Sequence, residues 1–447
     1  MTQQIPSSSA YIDGCRHNYS MYVLKNRAFQ TISDGLAAGS RRLLWTARDG
    51  VKRKSASLAG ETMCLHPHAE ATDIVDTLAK VYGNNIPFLE GFGSFGTRLK
   101  VDACGAARYT SVKASAFTKD VIYRDIEIVP MIENYDGTLE EPAHFLPLVP
   151  TVLVNPSSGI GIGFAADIHP RALKDIVGDQ IKHLQGKKIV EPGITFTPYQ
   201  AVSTARSVAK NGKTRWHFEG TFKIVDPTTV KITNLPYGTT HKDLTEKTLV
   251  NLMEADRIVD FIDNSVDTID IDIKFKRGQL SKFKSRTDLL DTLGLAGSVI
   301  ENINIVGFNG ERLIVEPTYT DIITQFTDWR LTWYVPRFER LKELLLRDIQ
   351  RYLDVLLAIK KDAGGVAKKT ANRQAFLTWL TSIGVVDVDY VAGLPVYRFT
   401  QAEAEIVEGK LAEARKTLAE YDQYLTSEQM RTDLFISELK EVVKKHG

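Results

Sequence analysis

The seven residues Cys104-Gly105-Ala106-Ala107-Arg108-Tyr109-Thr110 carry the groups for a covalent attack on a phosphodiester. A tyrosine phenol, with a reference pKa of ~10, attacks poorly until its proton is removed or its developing charge is neutralised. Arg108 is permanently cationic and can fork onto non-bridging phosphate oxygens. Gly105, Ala106 and Ala107 leave room for a nucleic-acid backbone to come close. An Arg-Tyr pair occurs by chance in many proteins, so the surroundings decide. Upstream lie further groups suited to an anion: Arg27, the pair Arg41-Arg42 behind Ser40, the run Lys52-Arg53-Lys54, and His66-Pro67-His68.

Helices must position these groups. The segment 18–27 reads as a short helix with Tyr19, Tyr22 and Val23 inward. Ser33-Asp34-Gly35 is a turn, and Ser40 is a good N-cap for a second helix. There, free amides, the helix dipole and the guanidinium groups of Arg41 and Arg42 would converge on a phosphate. A third helix is predicted over Ser55 to Met63 and a fourth over Ala71 to Tyr82, giving a helix-turn-helix arrangement. Gly91-Phe-Gly-Ser-Phe-Gly-Thr-Arg98 reads as a tight loop with short strands. It lacks the strand-then-helix context of a dinucleotide site and the Lys of a phosphate loop, which excludes nucleotide binding there. Tyr109 then falls on a wing-like hairpin beside the helices.

The totals fit a polyanion site confined to one region. At 447 residues the chain should divide into two to four domains. Its net charge is only +1, but residues 16–119 hold 15 Lys and Arg against 8 Asp and Glu. Charge distribution, not the total, decides whether a surface attracts nucleic acid. Cys15, Cys64 and Cys104 are too far apart for a metal or redox pair and suit a reducing cytoplasm. No signal segment or bilayer-spanning stretch is evident, so the expectation is a cytoplasmic protein with no membrane contact.

Beyond about residue 170 the pattern changes to period-two strands, notably 195–197, 216–222 and 230–233, broken at Asn234-Leu235-Pro236-Tyr237. Asp270 and Asp272 would share one strand face, which is most simply a wet one. Phe338, Leu341, Leu345, Ile349, Tyr352, Leu356 and Ile359 recur at helical spacing, as do Val407, Leu411, Ala414, Leu418, Tyr421 and Leu425. Two such helices around a globular insert predict an antiparallel coiled coil with a knob at its far end.

The motifs Tyr19-Ser-Met-Tyr-Val, Asn26-Arg-Ala, Asp34-Gly-Leu, Arg41-Arg-Leu-Leu, Lys54-Ser-Ala, His66-Pro-His, Gly91-Phe-Gly-Ser-Phe-Gly, Ala106-Ala-Arg-Tyr-Thr, Asn134-Tyr-Asp-Gly-Thr and Val154-Asn-Pro-Ser-Ser-Gly-Ile-Gly-Ile-Gly follow one another in a telling order. Together they make the chain similar, from about Tyr11 to Gly447, to the DNA-cleavage subunit of type IIA topoisomerases. That family includes the gyrase A protein and the topoisomerase IV cleavage subunit, and the layout is nearest to its compact bacteriophage members.

The resemblance implies an α+β multidomain fold: a winged-helix DNA-cleavage domain over 1–169, a mixed α/β tower over 170–321, and a coiled coil over 322–447 with a dimer-gate insert at about 363–400. It implies that Tyr109 takes the 5′-phosphate of a broken strand, with Arg108 as its phosphate-binding neighbour. Arg27, Arg41, Arg42, Lys54, His66 and His68 would hold the scissile backbone and support the transition state. Ile160 would wedge between base pairs and kink the duplex. Double-stranded DNA is the implied substrate. An ATPase/TOPRIM partner subunit would supply ATP hydrolysis and Mg²⁺, since no phosphate loop or acidic metal cluster is visible in this chain. The chain would dimerise through the coiled-coil gate and the winged-helix domain. Without room for a gyrase-type wrapping domain, relaxation or decatenation is expected rather than negative supercoiling.

Three departures from the family pattern stand out. Ala37-Ala38 replaces a common Lys-Pro, Ala69-Glu70-Ala71 replaces Gly-Asp-Ser, and Pro156 replaces Gly before the Ile160 turn. Two other readings use some of the same residues. One is a non-catalytic winged-helix DNA-binding dimer. The other is a relaxase-type nuclease with His66 and His68 as metal ligands on a strand.

Overall fold

Small helices and a short sheet hold the loop that carries Tyr109. The computed structural model describes residues 8–67, 71–101, 103–308, 310 and 312–447. The chain forms two compact units, Met1–Arg330 with Ile436–Gly447, and Leu331–Phe435.

In the first unit, helix α1 spans Ser8–Val23, longer than the sequence suggested. It runs into a wider π-type turn, Leu24–Ala28, closed by the Phe29 N–H donating to the Leu24 carbonyl at 3.0 Å. Helix α2 (Ala38–Thr46) starts two residues before Ser40, after an extended Ala37 that gives no side-chain cap. Helix α3 (Ser55–Met63) matches the predicted span, and α4 (Ala71–Ala79) stops slightly early. Strands β1 (Arg53–Lys54), β2 (Leu89–Phe92) and β3 (Ser111–Ala114) form one antiparallel sheet in the order β1-β3-β2. Leu43, Leu44, Leu58, Val75, Leu89 and Val112 are fully buried in this part of the unit. Their burial on folding, at about 1.5–3 kcal/mol per side chain, is what fixes the helices and sheet.

Strands β4 (Met131–Glu133) and β5 (Glu140–Pro142) make a hairpin, as do β6 (Ser157–Ile160) and β7 (Ala165–Ile168). The second hairpin passes close to the π-type turn. A Cβ at Gly159 would collide with the Ala28 carbonyl oxygen, so only glycine fits there.

The middle of the first unit holds two antiparallel sheets. One comprises 205–208, 214–219 and 296–300; the other runs in the order 221–226, 229–234, 271–274, 260–263. Val230, Ile232, Ile271 and Ile273 alternate onto the buried face of the second sheet, with Leu249 and Leu293 among the residues packed with them. On its polar face, Lys231 Nζ lies 2.7 Å from Asp270 and 3.5 Å from Asp272, so the acidic pair is already bridged by a cation.

In the second unit the helices Tyr334–Lys360 and Gln401–Thr426 pair side by side. Phe338 stacks on Tyr424 at 4.5 Å, Lys342 Nζ reaches Asp422 at 2.6 Å, and Ile349 clusters with Leu411 and Ala414. Contacts advance along one helix as they retreat along the other, so the pair is antiparallel. Between them, helices 363–369, 373–382 and 388–392 close a small core around Ala358, Leu380 and Val391.

The final helix, Glu428–His446, departs from the sequence expectation. Its last part belongs to the first unit rather than prolonging the coil to residue 447. Leu439 and Val442 are buried, Glu438 pairs with Arg124 at 2.8 Å, and His446 Nε2 lies 2.9 Å from Asp120.

Candidate active site

The Tyr109 loop lies over the start of α3. A helix leaves its first four N–H groups without intrahelical partners. Here the Ser55 N–H donates to the Thr110 carbonyl at 3.1 Å and the Ala56 N–H to that of Ala107 at 3.2 Å. Below them, the buried Thr110 hydroxyl donates to Ser55 Oγ at 2.7 Å. Lys54 Nζ donates to the Tyr109 carbonyl at 3.3 Å, and the Tyr109 N–H closes a turn on Ala106 O at 2.8 Å. This backbone is pinned, yet the Tyr109 side chain is 70% exposed. No hydrogen bond to its phenol oxygen is formed among the described residues, and the Arg108 guanidinium sits 4.7 Å from its ring centroid.

Cys104, five residues before Tyr109, carries a nucleophilic thiol that is restrained. Its thiol is pushed up to about 11 by desolvation and by the Asp76 carboxylate, to which Sγ donates at 3.1 Å. It stays protonated near neutral pH, and the thiol is the weaker nucleophilic form.

A separate cleft of about 940 Å³ gathers Asn26, Arg27, Ser40, Arg42, His66 and the outer face of α4. It thus brings together Arg27, Arg42 and His66, whereas Tyr109, Arg108 and Lys54 do not line it. Arg27 is exposed on the π-type turn, and no ion pair among the described residues engages it. Arg42 is held by a buried carboxylate: Nε and Nη2 donate to the two oxygens of Glu141 at 2.6 and 2.8 Å. The His66 ring is buried, with the Tyr22 hydroxyl 3.4 Å from Nε2 and Tyr135 packed edge-on at 5.2 Å. His66 follows α3 in a turn rather than lying on a strand, contrary to the relaxase-type arrangement. His68 lies outside the described residues. Ile160 ends β6, 88% exposed.

Arg41, expected among the backbone-holding cations, does not line this cleft. It turns inward, where Nε donates to Asp34 at 2.6 Å and Nη2 to Thr31 Oγ1 at 2.7 Å. Burial would raise the Asp34 pKa, but the Arg41 charge and hydrogen bonds from Arg41, Thr31 and the Phe145 N–H outweigh it and hold the carboxyl below its usual range. Adjacent helical positions do not face the same way, so Arg41 and Arg42 could not both face the cleft. Glu141 carries no sequence signal of that role, because it is 99 residues from Arg42.

With this geometry established, the likeness to known proteins decides the family. The model for the A protein of DNA gyrase/topoisomerase IV matches residues 27–440. The chain belongs to that family. Its relatives within and around the topoisomerase group include the DNA topoisomerase medium subunit of Enterobacteria phage T4, 26% identical over 95% of this chain and 96% of that one. The DNA gyrase A protein of Synechocystis sp. is also 26% identical, over 96% of this chain but 54% of that one. The chain therefore spans about half the length of that gyrase protein. In structure, the mixed α/β fold matches the Plasmodium falciparum topoisomerase II DNA-binding, cleavage and re-ligation domain. The TM-score is 0.83 at 22% identity, covering 96% of this chain and 63% of that one. No described helix of this topoisomerase-family chain is long and apolar enough to cross a membrane.

Proposed function

We propose that this chain, a cleavage-reunion subunit of a type IIA DNA topoisomerase, breaks duplex DNA with Tyr109. The observation that carries this reading is an exposed phenol on a clamped turn beside Arg108, in a chain of this family. The phenol oxygen bonds to phosphorus as the bond from phosphorus to the 3′ oxygen breaks. The phenol loses its proton and the 3′ oxygen gains one, leaving a tyrosyl 5′-phosphate ester and a free 3′-hydroxyl. Resealing reverses each change, so bond energy is conserved. Arg108, beside Tyr109, would take phosphate oxygens with its fork, and Arg27 adds a cation not engaged by any carboxylate among the described residues; such charge neutralisation dominates phosphoryl transfer.

In this reading α2 to α4 with the β1-β3-β2 sheet act as a winged-helix domain, residues 170–321 as a tower, and the antiparallel helical pair as a coiled coil bearing the dimer gate. Ile160, exposed at a strand end, is the intercalating wedge, and His66, Arg42 and Lys54 support the backbone. Two copies cut opposite strands, a second duplex passes, and relaxation or decatenation results. Among the described residues no three metal-ligating side chains converge, and the Asp270/Asp272 pair already holds Lys231. Mg²⁺, which would neutralise charge on the scissile phosphate, and ATP hydrolysis are assigned to an ATPase/TOPRIM partner, as the family resemblance implies. In an infected bacterium the site of action would be the host cytoplasm.

The test is denaturant trapping of DNA by this chain with its partner and Mg²⁺, followed by peptide mapping. An adduct on Tyr109 at the 5′ end is expected. Tyr109→Phe should abolish it while DNA binding survives; an adduct on another side chain or on the 3′ end overturns the assignment.

A further inference from the structure

Between Ser94 and Gly105 the chain makes a closed excursion. At its base, the Gly105 N–H donates to Ser94 O at 2.8 Å, Ser94 Oγ donates to Ala103 O at 2.7 Å, and Phe95 bridges Cys104. Its tip turns where the Thr97 N–H donates to Lys100 O at 3.1 Å. That tip is clasped by the middle of the first unit. Arg98 Nη1 donates to Asn234 Oδ1 at 2.6 Å and Nη2 to Leu235 O at 3.1 Å, while the guanidinium lies 3.8 Å over the Tyr199 ring. Asn234 is itself fixed, donating to the Tyr199 carbonyl at 2.7 Å. Leu99 packs against the core of the four-stranded sheet.

The chemistry of the clasp is unusual. Arg98 is half-buried, its Nε has no hydrogen-bond partner, and among the described residues the groups around it are an amide, a carbonyl and a ring rather than a carboxylate. Burying a cation against neutral groups is a costly way to hold a loop, and an apolar side chain of similar size would do so at less cost. What the guanidinium adds is direction: two donors and a flat face fix the tip in orientation as well as position.

We propose that Arg98 is a positioning residue for strand cleavage. It locks the excursion to the Asn234-Leu235 corner, and Tyr109 follows the base of that excursion by four residues. Through it, the placement of the sheets between residues 195 and 300 sets the placement of the phenol. This rests on Tyr109 being the nucleophile.

The experiment uses the chain with its partner subunit, Mg²⁺ and a short DNA duplex, and compares Arg98→Ala, Asn234→Ala and the double variant. Each single change should slow formation of the trapped Tyr109 adduct at saturating DNA by about tenfold or more, since a misplacement of about 1 Å can cost about a hundredfold. DNA affinity should stay within about twofold, and the double variant should be no slower than the singles, as expected for one shared interaction. Asn234→Ala approaches the clasp from the other side and carries the test if Arg98→Ala does not fold. Wild-type cleavage rates in the folded variants, losses that multiply in the double variant, or a fall explained by weaker DNA binding would overturn the proposal. If the wild-type protein gives no adduct on Tyr109, the functional reading fails instead, and the two failures are distinct.

Discussion

Arg41 and Arg42 are neighbours with opposite tasks. The first is an internal tie to Asp34, the second a cleft-wall residue held by Glu141. Removing Arg41 leaves Asp34 buried without its cation. Arg41→Ala should therefore cost about 3–5 kcal/mol, read from urea unfolding. Because the Asp34 pKa is depressed in the folded state, its contribution is fully present above the unfolded value of 3.8 and is lost as pH falls through the lower folded value. Asp34→Asn should flatten that part of the acid limb of a stability-against-pH curve; an unchanged limb would show that other carboxylates set it. At this scale the sequence revealed residue types and left their partners hidden. Tyr109 and Arg108 stood out because they are adjacent, whereas the Arg42–Glu141 pair spans 99 residues and depends on tertiary packing.

Elements were legible where local chemistry and packing agree. Helix α3 begins at Ser55 as expected, though its cap is unusual: carbonyls of the Tyr109 loop take its first amides. Ser40 looks like the cap of α2, but the helix begins at Ala38 with no side-chain cap at all. That shift puts Ser40 inside the first turn and weakens the case for a phosphate site at that helix end. The α3 junction makes a separate prediction. Thr110→Val leaves the Ser55 hydroxyl buried without its donor and should destabilise by about 1–3 kcal/mol. Adding Ser55→Ala should recover part of that loss, since the orphaned hydroxyl is then gone. Thermal unfolding of the three variants measures it; additive losses would show that the two hydroxyls act independently.

At the scale of the molecule, the basic surplus between residues 16 and 119 sits in the part of the first unit that carries both Tyr109 and the Arg27 cleft. The mixed fold and the antiparallel helical pair could be read from hydrophobic spacing. The return of the last helix could not, because the coil's own periodic pattern ends at Leu425. A signal was present nonetheless: Phe435, Leu439 and Val442, all buried, recur at steps of four and three. Leu439→Ala should lower stability by about 2–5 kcal/mol, seen as an earlier first-unit transition in calorimetry, and no shift would remove that helix from the core. This return also has a consequence for synthesis. Domains generally fold as they leave the ribosome, N-terminal part first. Here residues 436–447 complete a unit whose beginning was translated more than three hundred residues earlier. The core of the first unit cannot be closed until the whole inserted second unit has been made, so a chain truncated late in synthesis is left with that core open.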